Sequence, residues 1–161
     1  METAAVIQPN TPPASTADRE IVVTRLIAAP RALVFAAFLD PANIGTWWGP
    51  NGFTTTIHAM DARPGGVWRY IMHGPDGTDY NNRVTYVEIV KPERIVYDHG
   101  DDENPTMFRS TITFAERGGK TKLTMRATFE SVAAYTEATK FGAVEGGTQT
   151  LDRLEQYLAR A

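Results

Sequence analysis

Cysteine is absent from the chain. Disulfides, thiolate metal sites and a cysteine nucleophile are thereby excluded, and a reducing, cytoplasmic setting is the expectation. No apolar run approaches the ~20 residues that a membrane-spanning helix needs. An excess of positive charge is missing too. The formal net charge is −3 over 161 residues, which disfavours nucleic acid and anionic membranes as partners. The opening segment, Met1 to Asp18, has neither a basic end nor a long apolar stretch, so no secretory signal is expected. It consists mostly of Ala, Thr, Pro, Ser and Asn, with Pro9, Pro12 and Pro13, and reads as a disordered tail. A single domain is expected over residues 19–161.

Catalytic and cofactor templates are also missing. The serines, Ser15, Ser110 and Ser131, form no nucleophile elbow. Gly119-Lys120-Thr121 imitates the end of a phosphate loop, but Phe114 stands where that loop needs glycine. Gly142, Gly146 and Gly147 follow no strand, as a dinucleotide fingerprint must. His58, His73 and His99 fall at no metal-ligand spacing, and Asp101 to Pro105 lacks the alternation of a calcium loop. No cofactor and no metal are expected.

What is present is strong patterning. Hydrophobic residues make up 42% of the chain and charged residues 22%, an ordinary globular balance that rules out disorder of the whole. Ile21 to Ile27 reads as a strand, and Pro30 to Leu39 as a helix beginning at its proline. Asp40-Pro41 caps a second short helix carrying Ile44, Trp47 and Trp48. From Phe53 the period changes to two. Strands are expected at Phe53 to Met60, Val67 to His73, Tyr80 to Val90, Arg94 to His99, Met107 to Phe114 and Lys120 to Phe129. In the last, Leu123, Met125, Ala127 and Phe129 share one face, and Lys122, Thr124, Arg126 and Thr128 the other. Helix returns after Ser131, and Val144, Leu151, Leu154 and Leu158 form its apolar stripe. Gly146-Gly147 inside that stripe marks a kink, or a place without room for a side chain. The fold class is α+β: a single antiparallel sheet with a long C-terminal helix to cover one face.

Aromatic residues gather on these elements, among them Trp47, Trp48, Trp68, Tyr70, Tyr80, Tyr86, Tyr97 and Phe129. Core packing accounts for such a set, and so does a pocket for a small amphipathic ligand. Strand parity adds three ionisable groups. Glu88 goes with Tyr86, His99 with Tyr97, and Arg109 with Met107 and Thr111. Facing inward, they would sit in a low-dielectric site with shifted pKa values. Arg109 could equally bind a carboxylate through its fork.

Several segments taken in order resemble a known family. They are Pro30 to Phe38, Trp47-Trp48-Gly49-Pro50 with Gly52-Phe53, Arg63 to Trp68, Gly74 to Gly77, Glu88 to Ile95, and Gly146-Gly147-Thr148 before the Leu151 to Leu158 helix. Over Glu20 to Arg160 the chain is similar to bacterial single-domain proteins of the START-like (SRPBCC, helix-grip) superfamily. Within it, the likeness is to the C-terminal domain of the heat-shock-protein-90 ATPase activator. The resemblance implies a seven-stranded curved sheet gripping the C-terminal helix, with a hydrophobic cavity between them. It implies a small hydrophobic ligand and a monomer or homodimer. Trp48, Trp68, Tyr70, Tyr97, His99, Arg109, Met125, Phe141 and Val144 are the candidate ligand-binding residues, with Phe141 to Thr148 as a lid weakest at Gly146-Gly147. Two alternatives stand beside a carrier, sensor or sequestering role. One is a cyclase- or hydrolase-type enzyme using Tyr70, Glu88, His99 and Arg109 as acid-base groups. The other is a stress-related co-chaperone or interaction protein presenting an exposed apolar patch.

Overall fold

The period-two segments pair into one sheet. In the computed structural model, which describes residues 15–160, the strands are β1 (Glu20–Ile27), β2 (Thr54–Met60), β3 (Val67–His73), β4 (Asp79–Val90), β5 (Arg94–Gly100), β6 (Phe108–Arg117) and β7 (Lys120–Phe129). All neighbours are antiparallel, in the order β1-β7-β6-β5-β4-β3-β2. Strands β2 to β7 form a meander, and β1 returns to pair with β7. This is the seven-stranded α+β sheet expected.

Helices α1 (Arg31–Leu39) and α2 (Pro41–Trp47) follow β1. The Asp40 carboxylate accepts from the Ala42 amide at 2.9 Å, so it caps α2 as its position suggests. Helix α1 lies on β6 and β7, and α2 lies on β2. Their apolar faces meet the sheet through aromatic rings: Phe38 packs edge-on to Trp47 at 4.9 Å and to Phe114 at 5.4 Å between centroids. Burying each such ring contributes about 1.5–3 kcal/mol.

The C-terminal segment departs from the expected single helix. Ser131 caps α3 (Val132–Lys140), its hydroxyl accepting from the Ala134 amide at 3.0 Å. The chain then turns at Phe141–Gly142 and restarts as α4 (Ala143–Arg160). Gly142 has φ of +85°, the left-handed conformation that ends helices at little cost only in glycine. Gly146 and Gly147, expected as the weak point, lie inside unbroken α4. Leu151, Leu154 and Leu158 of α4 are buried. Arg25 of β1 pairs with Asp152 at 2.5 Å and Glu155 at 2.8 Å, tying the edge strand to this helix.

The disordered-tail reading falls mostly outside the described residues. Within its last part, a 3-10 turn at Ala17–Arg19 precedes β1, and Arg19 donates to the Phe129 carbonyl.

Candidate functional site

Between the inner face of the sheet and the α3–α4 elbow lies a cavity of about 220 Å³. The side of β1, β6 and β7 contributes Ile21, Val23, Phe108, Ser110, Met125, Ala127 and Phe129. Tyr97 and His99 enter from β5, and Trp48, just after α2, closes one end. The roof is made of small groups: Ala138, Ala143, Gly147 and Thr150. Gly147 explains part of the void. A Cβ there would stand 3.5 Å from the Val23 methyl, in ordinary contact. A longer side chain would extend into the gap. Glycine in a helix interior costs about 1 kcal/mol relative to alanine, so α4 gives up stability where it roofs the cavity. Gly146 faces elsewhere, toward Pro50. For scale, an apolar cavity of about 150 Å³ holds benzene. The space here suits one ring with a short substituent.

One wall is organised by a chain of hydrogen bonds. The Trp48 indole N–H donates to the Tyr70 hydroxyl at 3.0 Å. His99 Nε2 lies 3.1 Å from that hydroxyl and 3.0 Å from Asn82 Oδ1. Asn82 Nδ2 donates to the Tyr80 carbonyl at 3.0 Å, which fixes the amide with its oxygen toward the imidazole. With the amide so oriented, we assign the ring proton to His99 Nε2. Burial pushes the His99 pKa down to about 4, so the ring is neutral at physiological pH. Burial also pushes the Tyr97 phenol up to about 12, with the Ser110 hydroxyl offsetting part of the rise. Tyr70 is pushed well above its ordinary value by burial. The wall is polar in places but uncharged.

The half-buried, neutral histidine has a consequence for stability. The unfolded ring takes up a proton near its ordinary value of 6.5, and the folded ring only near 4. Below 6.5 the unfolded state binds more protons, so stability is full above that value and falls as pH drops toward 4. We expect urea denaturation to show a loss of about 2 kcal/mol at pH 5 relative to pH 7.5 from this group. Glu20, Glu88 and Asp76, held below their ordinary values chiefly by hydrogen bonds from Thr16, Arg94 and Thr78, add losses at lower pH. The His99→Gln variant isolates the imidazole's share, because its slope between these two pH values should be shallower. Equal slopes in the two proteins would contradict the assignment.

The structure distributes the predicted residues unevenly. Trp48, Tyr97, His99 and Met125 line the cavity. Trp68 and Tyr70 lie behind that wall, both buried and stacked on each other at 4.2 Å. Arg109 is a correction. Ser110, Ile112 and Phe114 take the inner face of β6, so Arg109 points outward. Its fork is filled by Asp98, with Nε to Oδ1 at 2.8 Å and Nη2 to Oδ2 at 3.1 Å. Glu88 is another. The register of β4 on β5 shifts between Tyr86 and Glu88, where Val87 forms a bulge. One extra residue reverses the alternation, so Ile89 pairs with Ile95 inside while Glu88 meets Arg94 at 2.7 Å outside. Phe141 and Val144 are 81% and 43% exposed. The turn at Gly142 rotates both away from the roof that Ala143 and Gly147 form. Ser110 lines the cavity and Asn82 holds His99, both outside the candidate set, although strand parity aligns Ser110 with Ile112 and Asn82 with Val84.

A second, much smaller void of about 10 Å³ lies behind Trp48 and Tyr97. Trp68 and Tyr86 line it, and their indole nitrogen and hydroxyl have no partner among the described residues. An unpaired buried hydroxyl is a cost. Tyr86→Phe should therefore leave stability unchanged or raise it by up to about 1 kcal/mol. A loss above that size on denaturant unfolding would mean that the hydroxyl is paired in solution. A wider, outer groove is lined by charged groups together with Tyr70, Ile71 and Tyr80, and in it Arg69 meets Asp102 at 2.6 Å.

A curved antiparallel sheet closed by a C-terminal helix, with a roofed apolar cavity between them, defines a helix-grip protein. The chain belongs to the family described as activator of Hsp90 ATPase homolog 1-like protein, which matches residues 28–159. Solved structures agree in fold. A Mycobacterium smegmatis protein is 27% identical with a TM-score of 0.82, over 91% of this chain and 94% of that one. A Chromobacterium violaceum protein is 28% identical with a TM-score of 0.73, over 85% and 95%. A protein from Arthrobacter aurescens, 22% identical, superposes with a TM-score of 0.83 over 96% and 94%. No curated protein matches the chain. Among the described residues, no helix is long and apolar enough to cross a membrane and no cluster of potential metal ligands occurs.

Proposed function

We propose that the protein binds a small, largely apolar molecule in the cavity between sheet and elbow, as a carrier, sensor or sequestering protein. The observation that supports this best is the roof. A helix glycine and two alanines keep about 220 Å³ open over a wall of aromatic and apolar side chains, at a cost in helix stability. A fold selected for packing alone would fill that space. The elbow is the lid in this reading, hinged at Phe141–Gly142 rather than at Gly146-Gly147. Of Tyr70, Glu88, His99 and Arg109, only His99 lines the cavity. With its pKa near 4 it is a weak base at neutral pH, so binding takes precedence over acid-base catalysis.

Protein purified from its native host and examined by native mass spectrometry tests the reading. The expected result is one added mass per chain that denaturing extraction releases as a small organic molecule. Bare protein, together with no uptake of small single-ring compounds added afterwards, would contradict it.

A further inference from the structure

We propose that His99 Nδ1 selects the ligand: the molecule is uncharged and carries one hydrogen-bond donor, as a phenol or an alcohol does, on an otherwise apolar body. The proposal rests on the cavity-binding reading above and specifies its chemistry.

The polar side chains of the wall are Trp48, Tyr97, His99, Ser110 and Thr150, and the Ser110 hydroxyl is set against the Tyr97 phenol. Trp48 spends its indole proton on Tyr70. The Thr150 hydroxyl donates to the Gly146 carbonyl at 2.8 Å. His99 Nε2 faces Tyr70 and Asn82. His99 Nδ1 makes no hydrogen bond among the described residues, yet it is not among the side-chain atoms that are both sealed off and unpaired. The half-buried ring lines this cavity and not the outer groove. Nδ1 is thus the ring nitrogen left to the cavity. Because Nε2 holds the proton, Nδ1 presents a lone pair.

A lone pair on an uncharged, largely apolar wall discriminates in a definite way. A hydrocarbon leaves it unsatisfied. A carboxylate brings acceptors to an acceptor, and no lysine or arginine lines the cavity to neutralise it. An O–H or N–H donor satisfies it. Asn82, Tyr70 and Trp48 act through the ring, holding its orientation and tautomer, and are positioning residues.

The test is a comparison of affinities for 4-ethylphenol and 4-ethyltoluene, which differ by a hydroxyl in place of a methyl. Isothermal titration of the whole chain gives the ratio in wild type and in His99→Gln. The glutamine amide can keep a donor near the Nε2 position but has no atom at Nδ1. We expect the preference for the phenol to fall at least fivefold in the variant, the usual weight of one hydrogen bond. His99→Phe is the second variant should the first not fold. An unchanged ratio with both compounds still binding would overturn the role of His99 and leave the cavity reading standing. Failure of wild type to bind either compound would overturn both.

Discussion

Gly147→Leu should abolish uptake of 4-ethylphenol and leave the fold intact. The side chain would start from a Cβ 3.5 Å from the Val23 methyl and extend into a space of about 220 Å³. Binding should weaken by more than tenfold, because a branched four-carbon group occupies the volume one ring needs. The protein should not be destabilised in proportion. Replacing a helix-interior glycine by leucine gains roughly 0.8 kcal/mol of helix propensity, and filling a void avoids the cost of overpacking a full core. Gly147→Ala is the graded control, with a stability gain of up to about 1 kcal/mol and a smaller loss of affinity. Titration calorimetry and thermal denaturation give the two readouts. Wild-type affinity in the leucine variant would place the ligand elsewhere.

Arg153→Ala should cost about 3 kcal/mol of stability, one of the larger losses open to a single residue of this chain. Arg153 Nη1 lies 2.9 Å from the Gly49 carbonyl, 3.0 Å from that of Pro50 and 3.1 Å from that of Phe53. It thereby fastens the loop after α2 to α4. Hydrogen bonds to a charged group contribute about 1.5–3 kcal/mol each, and the carbonyls left behind lose their partner together. For a chain of this length the melting temperature should fall by roughly 6–12 °C. Trp48 begins this loop and closes one end of the cavity, so ligand binding should weaken as well. A fall of less than 2 °C would show that water replaces the guanidinium without loss.

Much of this architecture is legible in the residues. Val67–His73 and Lys120–Phe129 have the strand limits that alternation gives them. Trp68 and Tyr70 turn inward while Arg69 stays exposed, as their parity requires. The Asp40 and Ser131 caps act where they stand. Parity fails at Val87 because a bulge inserts one residue with no mark in composition, and Glu88 leaves the interior as a result. It also needs an anchor. Parity aligns Arg109 with Met107 and Thr111, but Ser110, Ile112 and Phe114 take the inner face. The elbow falls at Gly142 and not at Gly146-Gly147, and three glycines within six residues leave its place open in the sequence. Only Gly142 adopts a positive φ, and backbone conformation of that kind is settled by how the two helices dock. The cavity is harder still to read. Periodicity says which face of each element turns inward, not whether facing elements touch.

Methionine methyl NMR with 4-ethylphenol tests the central claim most directly. The chain has five methionines, and among the described residues Met125 is the one that lines the cavity. The Met125 methyl signal should shift saturably on titration and show a nuclear Overhauser contact to the ligand ring. Both effects should be lost in Gly147→Leu. A Met125 signal that stays fixed while binding is measured by calorimetry would contradict that claim.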